Sequence, residues 1–548
     1  MSFGPTSQKL LLKSPIFARE LRQAFRTGRI IVLLLILAVL VGLFVLGIAS
    51  ALGMGRASIP AGPILFQILF SLAYFIVCIV GPAVAAIDVA SERDGHTWDA
   101  LVLSGLDVRT ITRGKFWTAI TAIGAFLLMI APASILCFLL GGVGIGELVI
   151  AFLLLAVIAA ISVAYGLSVG AWANGVGAAT LLTLVSALLA APFLYFGVGV
   201  GVSFLAHATW PDVPSGAPVW LPLAYVRASF DGWYLVLLIV LPVAVTGLAL
   251  WFLYELTVLR LTSESDDRAT GLKRWYVTAL PVVGCIAMVP GIMTRGSMRL
   301  TALLGGLGGL FTFLVFCAFV LAGDALAPSR RVEFRWHRLQ AGWHTRVLGP
   351  GLVQTSMLLL VTSLLAMGLF ALVGAGILSR GIPSGLPPPS AIGLLTCGEY
   401  WSAFLVFIVG FLVWSRVRSD SVSGARILAL VVAAIALAAP WIAFLVFGYA
   451  GSKRVQDALL IAAPSPLYVF AMLSAIDKGE PHLALTSGIA CSLGWISMGL
   501  ALFGLGARRA TKIVAERRTL RASLESRMAG ETTHLPFVDP ERLRPAGG

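Results

Sequence analysis

Read from its start, the chain is a succession of long apolar runs separated by short polar segments. A bilayer core about 30 Å thick is crossed by roughly 20 residues of helix. Twelve runs meet that length, near 30–50, 62–88, 117–142, 148–172, 177–205, 234–254, 276–294, 301–326, 351–378, 394–415, 427–449 and 483–506. The runs are continuous rather than alternating, which predicts helices and not barrel strands. The fold class expected is all-α, a polytopic membrane helical bundle of about twelve transmembrane helices.

Composition removes the soluble alternatives. Hydrophobic residues make up 59% of the 548 and charged residues 12%, against about 25% charged in soluble domains. The six cysteines (Cys78, Cys137, Cys285, Cys317, Cys397, Cys491) are scattered through apolar runs, with no CxxC pair for a metal or a redox couple. The net charge of +14 gains meaning from its placement. Lys and Arg are retained on the cytoplasmic side of bacterial membranes. Twelve spans with both termini inside put 31 of the 39 basic residues there. The remainder are Arg56, Arg227, Arg295, Arg299, Arg380, Lys453, Arg454 and Lys478. The basicity therefore reads as topology and attraction to lipid headgroups. Nucleic acid is not an expected partner, since no basic-aromatic module accompanies the charge. The first span reads as an uncleaved anchor, its basic leader being too long for a signal peptide.

The loop pattern repeats in a six-plus-six arrangement. Long inner segments follow spans two and eight (91–116 and 328–350), and long outer segments precede spans six and twelve (206–233 and 450–482). Asp88 and Asp324 close the inner ends of spans two and eight. Leu221-Pro222-Leu223-Ala224-Tyr225-Val226 and Ser465-Pro466-Leu467-Tyr468-Val469-Phe470 occupy matching outer segments. Halves with an even number of spans run parallel. The domains expected are an amphipathic elbow over 1–29, a first half over 30–275, a second half over 276–506 and a basic tail over 507–548.

Two inner segments carry the candidate chemistry. Before the first span, Ser14 and Pro15 suit a helix start, and Phe17, Leu21 and Phe25 share one face with Arg19 and Glu20 beside it. Such a helix lies in the headgroup plane. After the second span comes Glu92-Arg93-Asp94-Gly95-His96-Thr97-Trp98-Asp99-Ala100-Leu101, and then Gly114-Lys115. A short charged helix-turn with apolar Trp98, Leu101 and Leu103 set among acids and bases suits docking into a groove of a soluble partner.

Across residues 14–117 the chain resembles the permeases of ABC transporters of the type-2 export class. That family carries Glu-Arg-Glu-x-Gly-Thr-x-Glu-x-Leu-Leu after its second span and Gly-Lys entering the third. Glu92, Arg93, Asp94, Thr97, Asp99, Leu101, Gly114 and Lys115 match by identity or acidic exchange, while His96 stands where the family has Gly. The resemblance implies that 92–106 is a coupling segment, with Glu92, Arg93, Asp94, Thr97, Trp98, Asp99 and Leu101 meeting a separate ATPase subunit. It also implies that Phe17, Arg19, Glu20, Leu21 and Phe25 form the elbow helix. ATP and magnesium would then belong to that partner, and this chain would hold no cofactor and no catalytic residue.

The rest of the sequence agrees with a chain that lacks its own motor. A P-loop needs Gly-x-x-x-x-Gly-Lys-Ser/Thr, and the only Gly-Lys, at 114–115, is preceded by Arg109 and followed by Phe116. Gly166-Leu167-Ser168-Val169-Gly170 matches the hydrolase elbow, but inside a span small residues read as helix packing; Gly197/Gly201 and Gly305/Gly309 read likewise. The histidines lack metal-ligand spacing, although His337 and His344, seven apart, could share a helix face. Asp88, Glu147, Glu255, Asp324 and Glu399 all fall near span ends rather than mid-membrane. The loop 328–350 lacks the acidic signature and is basic, with Trp336 and Trp343; it reads either as a diverged second coupling surface or as a headgroup patch.

The function expected is the transmembrane permease of an ATP-driven exporter in a bacterial cytoplasmic membrane. Its partners would be an ATPase subunit and membrane lipids; either the two halves form one fused pseudo-dimer, or residues 1–275 form the permease proper and a second copy or second permease pairs with the chain. The two alternatives are an ion-coupled carrier, with Glu399 as its test position, and a membrane scaffold or lipid enzyme built around 92–99. The apolar spans do not select a substrate class.

Overall fold

A computed structural model of the chain describes isolated positions between 32 and 50, then residues 61–213, 220–263, 266–296, 298–340, 342–380, 388–419, 421–448, 459–479 and 482–532. Among these residues there is helix and no strand. Eleven helices are long and apolar enough to cross a membrane, and they match the second to twelfth apolar runs. The protein is an all-α, multi-pass membrane bundle. Most of the first expected span, and the whole elbow with Phe17, Arg19, Glu20, Leu21 and Phe25, lies outside the described residues. Contacts divide the chain into two units, Met1–Glu264 and Ser265–Gly548.

In the first unit the long helices are α1 (Ala61–Asp94), α3 (Val108–Leu139), α4 (Ile145–Trp172), α5 (Val176–Pro192) and α8 (Leu241–Leu261), with the short α2 (Thr97–Leu103) between α1 and α3. Beyond Pro192 the chain continues through a wide π turn, Phe193–Gly199, into α6 (Val200–Thr209). The outer segment then forms α7 (Trp220–Arg227). Proline has no N–H to give to the preceding turn, and π turns accommodate such breaks. α4 is central. At Gly166 an added Cβ would sit 2.2 Å from the Pro82 carbonyl of α1, and at Gly170 2.6 Å from that of Ala86. The Gly-x-Ser-x-Gly sequence is thus a helix-crossing surface, and Ser168 Oγ donates to the Tyr165 carbonyl (2.8 Å).

The second unit contains α9 (Thr270–Met293), α10 (Met298–Leu321), α11 (Arg330–Arg338), α12 (Trp343–Val347), α13 (Leu352–Ser379), α14 (Pro389–Arg418), α15 (Val422–Ala443), α16 (Val469–Asp477) and α17 (His482–Thr532). A π turn, Phe444–Gly448, follows Pro440 as the first follows Pro192. α14 is the buried centre. It crosses α17 where Gly410 meets Gly499, a Cβ on the former falling 2.1 Å from the Gly499 carbonyl. The close approach of α10 to α9 uses Gly306, 2.1 Å from the Ala287 carbonyl, whereas Gly305 and Gly309 face open space. The expected pair is therefore out of phase by one residue. His337 and His344 also part company, on α11 and α12, because Gln340 between them takes a left-handed φ of 45°.

Two span boundaries differ from the apolar runs in an informative way. α3 begins at Val108 and α9 at Thr270, so Lys115 and Lys273 lie inside helices rather than in polar flanks. Both side chains are buried, at 1% and 0% exposure.

Candidate functional site

The basic end of the first unit is built on ion pairs that join helices. Asp88 and Glu92 are four apart on α1 and share a face. Lys115 Nζ of α3 lies 3.0 Å from a carboxylate oxygen of each. A lysine removed from water this completely is tolerable only with such partners. Nearly two turns away on α3, Arg109 meets Glu255 of α8 through two bonds of 3.2 and 3.1 Å, a fork-to-carboxylate geometry. Trp251 Nε1 lies 3.4 Å from the same carboxylate, and Arg113 stands over the Tyr254 ring. Arg260 of α8 stacks on Trp172 at the end of α4, 4.3 Å from the ring centre.

The next two residues of α1 grip the turn between α4 and α5. Arg93 Nη1 donates to the carbonyls of Ala171 (2.5 Å) and Ala173 (3.3 Å), the last acceptors of α4. Asp94 Oδ2 accepts from Val176 N (3.3 Å), the first donor of α5. A cation at a helix C-terminus and an anion at an N-terminus both complement the backbone dipoles. Gly175 in this turn has φ +111°, a conformation that favours glycine.

α2 projects from this frame. Gly95 N donates to Ser91 O, which continues α1, and His96 then takes a left-handed φ of 55° that turns the chain into α2. His96 rather than the neighbouring Gly95 is therefore the residue in the left-handed region, a conformation a glycine would adopt without cost. Thr97 Oγ1 donates to the Glu92 carbonyl (3.1 Å). Trp98 packs against the core of α1, α3 and α4, and Leu101 is half-buried. Asp99 lies on α2. Gly105, with φ +79°, closes the segment. What stands out from the unit is Leu103, 85% exposed, with Val102 beside it at 39%.

The residues singled out in the sequence thus divide. Glu92, Arg93 and Asp94 bond to α3, α4 and α5 and hold the mount, the exposed Thr97 bonds back to the Glu92 carbonyl, Trp98 roots α2 in the core, and Val102 and Leu103 form its outward tip. Sequence reasoning placed Leu103 among apolar docking residues but passed over Val102 and the clamp role of Lys115. An acid repeated at i and i+4 at a span end, with a lysine opening the next apolar run, was the available signal for the clamp.

The second unit has a corresponding buried pair with a different wiring. Lys273 Nζ of α9 lies 2.7 Å from Asp324 Oδ2 and 2.5 Å from the Gly349 carbonyl. Asp324 also accepts from Gly351 N (3.0 Å) and Thr355 Oγ1 (2.5 Å) at the head of α13. Here the cation comes from the helix before α10 rather than the helix after it.

At the opposite end Glu147 of α4 pairs with Arg227 of α7 (2.9 Å). The repeated outer motifs each tie a tyrosine to the next membrane-spanning helix. Tyr225 hydroxyl donates to the Leu238 carbonyl, and Tyr468 shares a hydrogen bond with Ser487 (3.0 Å). Burial raises the pKa of both tyrosines, keeping them protonated. Glu399 is exposed on α14, where Ser492 Oγ donates to it (2.6 Å).

Comparison of the chain with family models, with curated proteins and with solved structures gives no match.

Proposed function

We propose that this chain is the transmembrane permease subunit of an ATP-driven transporter, an exporter of the ABC type-2 class, in a bacterial cytoplasmic membrane with both termini inside. ATP and magnesium would be held by a separate ATPase subunit. The observation that carries this reading is the mounting of α2. A short helix with an apolar tip is fastened by Arg93, Asp94 and the Glu92–Lys115–Asp88 clamp to α1, α3, α4 and α5, and Arg109–Glu255 extends the frame to α8. A push on α2 would then be delivered to the feet of several spans at once, as a rigid two-state element requires. The ends of α1 and α3 that flank α2 make the contacts to α4, α5 and α8, so the two spans it joins are braced where it leaves them. The sequence resemblance over 14–117 supports the same assignment.

The test is affinity purification of the full chain from its native membrane in mild detergent, followed by identification of bound chains and assay of ATP hydrolysis. A stoichiometric P-loop subunit with ATPase activity is the expected result. A chain that purifies alone and active in ion-gradient-driven transport would contradict the proposal.

A further inference from the structure

The second unit presents a surface at its basic end that the transport reading leaves unused. α11 has two chemically distinct faces. Val332 and Trp336, four apart, turn inward: Val332 is buried, and the Trp336 ring lies against Gly349, where a Cβ would fall 2.2 Å from it. Arg331, Phe334, Arg335 and Arg338 recur at spacings of three and four on the outward face. Phe334 is 68% exposed, and Leu339 and Trp343, which follow, are 70% and 71% exposed.

The charge on this face is not cancelled within the unit. Glu333, the one acid in α11, is taken by Arg518 of α17 (2.8 Å). Glu525 of α17 is taken by Arg330. Asp266 approaches Arg335 at 3.6 Å. Among the described residues Arg331 and Arg338 make no ion pair. The two crossed pairs strap α11 to α17 and hold the arginine face outward.

The level of this face follows from its neighbours. Leu352, which opens α13, packs with Val417 of α14 and Ala510 of α17, so α13 begins and α14 ends where the apolar run of α17 gives way to Arg508 and Arg509. Gly349, beneath Trp336, is three residues before Leu352. The face thus sits where the spans leave the apolar layer.

We infer that Arg331, Phe334, Arg335, Arg338, Leu339 and Trp343 form a docking surface for anionic phospholipid headgroups. Guanidinium groups match phosphate oxygens in a bidentate manner. Exposed Phe, Leu and Trp beside them suit the boundary between headgroups and acyl chains, the habit of basic interfacial helices. α2 offers a contrast: Thr97–Leu103 contains no cation, and its tip is apolar. A groove shaped for α2 would leave the arginines of α11 without partners, which argues against α11 as a second copy of that docking surface.

The test is amide hydrogen exchange on the full chain in nanodiscs of phosphatidylcholine, and of phosphatidylcholine mixed with phosphatidylglycerol. Peptides covering 330–347 should exchange about tenfold or more slowly in the anionic discs, since each basic group near such a surface contributes appreciably. Peptides covering 97–103 should be indifferent to the lipid. The protection should vanish in the triple variant Arg331→Gln/Arg335→Gln/Arg338→Gln and weaken in Phe334→Ser, with exchange of α13 and α14 unchanged in both as the check on folding. Equal exchange of 330–347 in the two lipids would overturn the inference. So would protection that survives in the triple variant, or that requires a soluble protein partner.

Discussion

Arg93 and Asp94, adjacent in the chain, hold opposite ends of two consecutive helices: the guanidinium takes the last carbonyls of α4 and the carboxylate takes the first N–H of α5. Their order along α1 is the order that helix dipoles require. Exchanging the two would place like partial charges together at both ends. A charged dipeptide at the foot of α1 thereby fixes the position of a turn nearly eighty residues further along the chain, and with it the base on which α2 stands. Arg93→Ala should destabilise the protein by roughly 1–2 kcal/mol, about the value of a cap or a charge-assisted bond. Arg93→Lys should recover only part of this, since an ammonium lacks the planar fork. Unfolding in mixed micelles measures both; wild-type stability in Arg93→Ala would show that the turn is held by other means.

The Lys273–Asp324 pair yields a sharper expectation, because both groups are buried. Removing one partner leaves the other as an uncompensated charge, at a cost of about 3–5 kcal/mol. Asp324→Ala and Lys273→Met should each approach that loss. The double variant should be more stable than either single one, since it leaves neither charge behind. A double-mutant cycle in the same micelles decides the matter, and additive losses would show that the two residues act independently.

His96 occupies a left-handed conformation that is strained for residues with a Cβ and acute for β-branched ones. His96→Gly should be at least as stable as the wild type. His96→Val should lose about 1–2 kcal/mol, although the residue is exposed. Stability of the valine variant equal to that of glycine would mean that the left-handed turn does not persist in solution.

Gly166 meets the Pro82 carbonyl of α1 so closely that no side chain fits. Gly166→Ala should force α4 away from α1 and cost about 1–3 kcal/mol, the usual range for overpacking. Gly305→Ala in α10, which faces open space, should be nearly neutral. Thermal unfolding of the pair separates glycine at a crossing from glycine on a lipid-facing surface.

Much of the bundle was legible in the sequence because its physics is one-dimensional. A run long enough to span lipid is helical wherever it occurs, so eleven spans follow from apolar length alone. The packing role of Gly166 and Gly170 was also legible, since a span offers no strand-to-helix turn for a nucleophile. What sequence left open depends on partners distant in the chain. Lys115 and Lys273 read as polar flanks, because only the fold brings Asp88, Glu92 and Asp324 to them. Glu92, Arg93 and Asp94 read as outward docking residues, because nothing local announces that α4 and α5 end beside them. Gly306 rather than Gly305 makes the crossing, a matter of helix phase that a flat small-residue pattern does not specify.

On the proposed reading, α2 carries the contact with an ATPase while the residues beneath it hold it in place. The most direct measurement compares Leu103→Asp with the wild type in mild-detergent purification, scoring both the bound ATPase subunit and the thermal stability of the chain. Leu103→Asp should lose the subunit and retain wild-type stability, since the side chain is 85% exposed and a charge there spoils an apolar groove without disturbing the frame. Retention of a stoichiometric ATPase by Leu103→Asp would contradict the account.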